Sequence, residues 1–431
     1  MKKRLMSLFL AVSLVLGLFV GCGSTKAAET TAAPETTEAP VETIVEATVE
    51  AVPTTREFTD STGRTVTLPY EVTKIAISGP LSQVYILPLA GDMLVGVSNA
   101  FAEDAKAYLP AYIFELTEIG QLYGGKGEMD LEALLAADPD VVIDIGDAKS
   151  TIVEDMNSLT EQTGIPFVHI DATVATTPDA YRTLGELVGR EEKAEELAVY
   201  CQNVLDMTAG LMARVDADGA RRSLLYCLGD AGVNVIAEGS FHAETINTMS
   251  ANLADLPDVV SSGAGNEVDL EQILVWDPDV IIFAPDSIYD SVGNMAAWQS
   301  VGAIAEGNYY KTPYGPYGWL SSPPSVQRYL GLLWLGALLY PDYVEYDLQE
   351  EVTEYYKLFY DCDLTDDMYQ SLVADAGGWG CAIVIGLSSC LQIKLITCLQ
   401  QRAIHYISTV LPVGRVFTGT TVPLNLSPCL V

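Results

Sequence analysis

Apolar and polar positions follow different rules along this chain. From Leu5 to Val20 the run is almost unbroken apolar, whereas residues 25–55 show no periodicity at all. Beyond residue 56, short β-branched runs alternate with stripes of helical spacing, a pattern that predicts parallel strands and helices in turn. One unit occurs twice: EMDLEALLAADPDVVIDIGD at residues 128–147 returns as EVDLEQILVWDPDVIIFAPD at residues 267–286. In each copy an N-capping Asp (Asp130 or Asp269) opens a helix, and a Glu two residues later (Glu132 or Glu271) lies in its first turn. Asp-Pro-Asp then ends the helix, because proline disfavours the helical conformation in the residue before it. The following VVIDI and VIIFA lack alternation, which is the mark of strands covered on both faces. Between the copies, residues 177–215 carry apolar positions every three or four residues among many Glu, Lys and Arg. That spacing predicts a long amphipathic helix, with two helices broken at Gly189 as the alternative. The fold class is therefore α/β, with an α-β unit of a parallel sheet in each half and the order lobe, connecting helix, lobe.

Composition sets the boundaries. Lys2, Lys3 and Arg4 precede the first apolar run, which stops at Gly21 and Cys22, so residues 1–22 read as a signal peptide too short to span a bilayer. The ending LFVGC resembles the lipobox of bacterial lipoproteins, with Phe19 where that pattern usually has Leu. The resemblance implies lipidation of Cys22 and attachment to the membrane; a plain secreted protein or an uncleaved anchor is the other reading. Residues 23–55, rich in Thr, Ala, Glu and Pro and without aromatics, read as a disordered acidic tether. The folded body divides into an N-terminal lobe (56–175), the connecting helix (176–215) and a C-terminal lobe (216–375). Residues 376–431 break the pattern: they hold none of the 58 acidic residues and four of the eight cysteines, Cys381, Cys390, Cys398 and Cys429. Such a change reads as out-of-frame or artefactual sequence rather than a domain, the alternative being an apolar appendage.

A formal charge of −36 excludes nucleic acid as the partner. Cys201, Cys227 and Cys362 lack CxxC or zinc spacing and read as buried thiols or one disulfide. His169, His242 and His405 are scattered, so no histidine cluster for a bare transition metal is present. Nor is there a GxSxG, HExxH or paired CxxC; the chain is expected not to be an enzyme. A non-transport sensor or adhesin is a further reading that the tether would serve.

REFTDSTGRTVTLPYEVTKIAIS (56–78), LAGDMLVGVSN, the paired DLExxLxxDPDVxI segments and PPSVQRYLGLLWLGALLYPD occur in an order that resembles the periplasmic binding proteins delivering iron chelates, haem and cobalamin to ABC importers. The resemblance spans residues 57 to about 373. It implies two Rossmann-like lobes with central parallel sheets joined by one long α-helix, with a ligand cleft between the lobes, in a monomeric, extracytoplasmic receptor without a cofactor that serves an ABC permease and its ATPase. It further implies that Glu132 and Glu271, one per lobe, dock on arginines of the permease.

Loops at strand ends should line the cleft. In the first lobe these are Ser78, Gly79 and Pro80, then Asn99, then Tyr123 to Gly127 with Lys126 as a cation. In the second they are Glu238 to Ser240, His242, Asp286, Tyr289 and the aromatic loop PYGPYGWLSSPPSVQR (313–328). Tyr314, Tyr317 and Trp319 there are expected to be exposed binding groups, and Arg328 to pair with an anionic ligand. An aromatic cleft with two cations suits a ferric siderophore-like chelate; haem and cobalamin suit the same aromatics. Molybdate or tungstate would instead use Ser78, the glycines, Ser321 and Ser322.

Overall fold

The computed structural model describes residues 53–123 and 128–377. Cys22, Lys126 and nearly all of the anomalous 376–431 segment lie outside the described residues. Thr55–Thr59 and Thr65–Pro69 form an antiparallel hairpin. In the first lobe Ile75–Ile77, Val141–Gly146 and Phe167–Asp171 pair in that order as a parallel sheet. All six residues of Val141–Gly146 are buried, as its unalternating sequence requires.

The second lobe is mixed rather than purely parallel. Ser223–Leu228, Val280–Phe283 and Tyr309–Lys311 run parallel, but Asn234–Val235 and Asn266–Glu267 add an antiparallel edge. The repeated helices are Leu131–Ala137 and Leu270–Trp276. Asp130 accepts from the N–H groups of Glu132 and Ala133, and Asp269 accepts from that of Gln272. Both helices end on an Asp in the left-handed region, Asp138 and Asp277. Each helix thus stops before the residue that precedes proline, as expected; Asp tolerates the left-handed conformation better than most side chains.

The segment between the lobes is two helices, Thr177–Val188 and Glu191–Ala217. Gly189, at φ 67, caps the first, which shortens the long helix relative to the single 176–215 element expected. The remaining 27 residues extend about 40 Å at 1.5 Å per residue.

Every residue of Arg328–Leu339 is buried. This helix packs on the connecting helix and on Leu348–Tyr360, which in turn packs against Pro80–Ala90 of the first lobe. A single apolar core consequently runs from Ile77 through Leu197 to Trp334 and Tyr355, while a second, smaller one around Phe283 and Trp298 fills the outer part of the C-terminal lobe. The three described cysteines are unpaired.

Candidate ligand-binding site

Strand ends and loops from both lobes enclose a cavity of about 410 Å³. The first lobe contributes Ser78 to Ser82, Tyr123, Asp144, Ile145, Asp147 and Lys149. The second contributes Phe241, His242, Ser261 to Gly263, Ser321, Pro323 and Pro324. The helix Pro80–Ala90 begins in this cleft, with Pro at its first position. The N–H groups of its first turn have no partner within the helix, and its dipole places positive potential there.

Each wall has its own chemistry. Tyr123 donates its hydroxyl proton to Asp155, 2.7 Å away, and so presents chiefly its ring. Burial, together with that carboxylate, holds its phenol well above the usual range. Lys149 pairs with Asp147 at 2.8 Å. His242 Nδ1 lies 2.9 Å from Ser321 Oγ. Burial and the nearby Arg328 guanidinium push the His242 imidazole down to about 4, so it is neutral at physiological pH.

Ser78, Gly79, Pro80, Tyr123, His242 and Ser321 thus converge. The other expected residues do not. Asn99 and Ser322 are exposed outside the cleft lining, as are Glu238, Gly239 and Asp286. Ser240 is buried and caps the turn beneath the cleft wall, accepting from His242 N–H at 3.2 Å. Tyr289 packs with Phe283 and Tyr309 in the smaller core.

The aromatic loop corrects the sequence reading most. Tyr314 is 44% exposed but away from the lining, whereas Tyr317 and Trp319 are core residues. Tyr317 accepts from Gln83 Nε2 at 3.1 Å. Gln327 pins the loop, donating to the carbonyls of Gly315 and Tyr317 while Tyr355 and Tyr360 donate to its oxygen. Gly331 lets the buried helix approach: a Cβ there would meet the Trp319 carbonyl at 2.3 Å. Arg328 is also fully buried. It forms an ion pair with Glu244 and stacks 4.6 Å from the Phe241 ring centroid, behind the cleft wall rather than in it.

Asp144, Asp147, Lys149, Phe241 and the 261–263 loop escaped the sequence reading. Asp144 had left a signal: it is the polar residue within VVIDI, where the second copy has Phe283.

The sequence model of a family described as periplasmic binding protein matches residues 78–314, more than half of the chain. The chain belongs to this family. Among solved structures, this binding protein is similar to the ABC transporter solute binding protein of Sulfurospirillum deleyianum, at 27% identity and a TM-score of 0.68, covering 74% of this chain and 98% of that one. The periplasmic solute binding protein of Veillonella parvula gives 25% identity and a TM-score of 0.57, over 75% and 98% of the two chains. The molybdate periplasmic binding protein MolA of Haemophilus influenzae shares the fold, at 20% identity and a TM-score of 0.57, over 72% and 99%. No curated protein matches the chain. Like its family, this binding protein works outside the cytoplasm and delivers a small ligand to an ABC permease; it is a transport component and not an enzyme.

Proposed function

We propose that this binding protein captures a compact, anionic metal chelate, with iron as the metal, and is carried on the membrane by lipid at Cys22. The observation that supports this reading is the interlobe cavity of about 410 Å³, which falls toward the lower end of small-molecule pockets. A small chelate suits that volume better than haem or cobalamin. Its anionic groups would meet the first turn of Pro80–Ala90 and Lys149, and its apolar parts the rings of Tyr123 and Phe241. Bare molybdate is the second reading, favoured by the lining serines Ser261, Ser262 and Ser321.

Docking on the permease is assigned to Glu132 and Glu271. Both are exposed in the first turn of the repeated helices, and one turn further on lie the exposed apolar side chains Leu135 and Val275. A carboxylate beside an apolar group on each lobe suits a partner presenting arginines in an apolar surround.

Calorimetric titration with ferric citrate, a ferric hydroxamate, haem, cobalamin and molybdate tests the ligand class. One-to-one binding of a ferric chelate is expected. Binding of molybdate alone would establish the second reading, and silence toward all five would sink both.

A further inference from the structure

We propose that Asp144 and His169 form an ion pair in the cleft floor that selects a ligand carrying an N–H or O–H donor. The proposal rests on the reading of this cleft as the ligand site, and follows from where the protons must lie. The Ile145 N–H donates to Ser82 Oγ at 2.9 Å, Ser82 Oγ lies 3.0 Å from Ser78 Oγ, and Ser78 Oγ donates to Asp144 Oδ1. A carboxylate only accepts, so the Ser78 proton is committed to Asp144. Ser82 must then donate to Ser78. Neither hydroxyl has a proton left for the ligand.

The other oxygen of Asp144 lies 2.6 Å from His169 Nδ1, and His169 Nε2 lies 3.0 Å from Asp171 Oδ1. With a carboxylate at each ring nitrogen, both nitrogens carry hydrogen and the ring is an imidazolium. Burial alone would lower its proton affinity, but Asp144 and Asp171 outweigh that and hold it above the ordinary value. Further charges around the pair are Asp60, which accepts from the His169 backbone N–H at 3.3 Å, Arg64, 3.5 Å from Asp60, and Asp147 and Lys149 in the cleft lining.

His169 is fully buried, whereas Asp144 lines the cleft. The floor therefore shows the ligand acceptors, beside the donors of the helix terminus. Molybdate, four acceptors and no donor at neutral pH, matches only half of that surface. A chelate with an amine, amide or hydroxyl as well as anionic groups matches both.

Two measurements on the full chain test this. In ligand-free protein at pH 7, nitrogen NMR should find both ring nitrogens of His169 protonated, and Asp144→Asn should move its titration toward lower pH. A neutral His169 in the wild type would overturn the ion pair. Ferric staphyloferrin A, an anionic ferric carboxylate chelate that carries amide N–H groups, and molybdate are then titrated calorimetrically into wild type, Asp144→Asn and Ser78→Ala. Affinity for the ferric chelate should fall at least tenfold in Asp144→Asn and hold or rise in Ser78→Ala, which frees a lone pair of Asp144; molybdate affinity should not fall. Equal loss of both probes, or of neither, would overturn the selection. Binding of neither probe by the wild type would count against the chelate reading, while the protonation state of His169 still decides the floor.

Discussion

His242 and His169 respond to acid in opposite senses, because one is buried beside a guanidinium and the other between two carboxylates. For His242 the folded value, about 4, lies below the ordinary 6.5. Its contribution to stability is full above 6.5 and is lost as pH falls toward 4, on the order of 3 kcal/mol. For His169 the folded value is raised, so its contribution is full below 6.5 and is lost as pH rises through the folded value. Urea midpoints across pH 4–8 should show less acid loss in His242→Gln than in wild type; an unchanged acid limb would contradict the assignment. Trp319→Ala should cost about 3–5 kcal/mol of stability by leaving a cavity, read as a fall in urea midpoint. Selective loss of ligand affinity at unchanged stability would instead return Trp319 to the cleft. The aromatic loop misled because Pro and Gly mark a turn-rich segment without saying what covers it. The cover comes from Leu348–Tyr360 and Gln327, remote or buried partners that no local pattern reveals. Asp144 and His169 were legible only as polar breaks in apolar strands.

The repeated helix, turn and strand was the most legible element, since capping, helical spacing and the Asp-Pro stop are all local. Each helix should lose about 1 kcal/mol when its cap is removed, in Asp130→Ala and in Asp269→Ala, read from chemical denaturation. Changing Glu132 and Glu271 to Lys tests docking: ligand affinity should stay and uptake by cells or vesicles bearing the permease should fall. Unimpaired uptake would remove these helices from the interface. The connecting segment was harder, because Gly189 ends one helix while the apolar stripe continues across it. The antiparallel edge of the second sheet was hidden for another reason: Asn234–Val235 and Asn266–Glu267 are strands of two residues each, too short for any periodicity.

Across the whole molecule, the lobes are held together by more than their connecting helix. The Val174 backbone, at the exit of the first lobe, donates to Glu244 at 3.1 Å and accepts from Tyr329 at 2.7 Å, both in the second. Tyr108 and Tyr356 meet at 5.4 Å between ring centroids, joining the first lobe to Leu348–Tyr360. Such a shared core leaves little freedom for hinge closure, so small-angle scattering should find almost no change in radius of gyration on ligand binding. Several ångströms of compaction would contradict this. Two lobes and a cleft were readable from the repeat, but the shared core was not, because it depends on where the last three helices return. The central claim is that ligand sits between Ser78–Ser82 and the 241–263 wall. Its most direct test is calorimetry on wild type and Ser262→Trp, a bulky change on an exposed loop of the cleft lining. The account predicts one site in the wild type and at least a tenfold loss of affinity in the variant at unchanged melting temperature; equal affinity in both would place the ligand elsewhere.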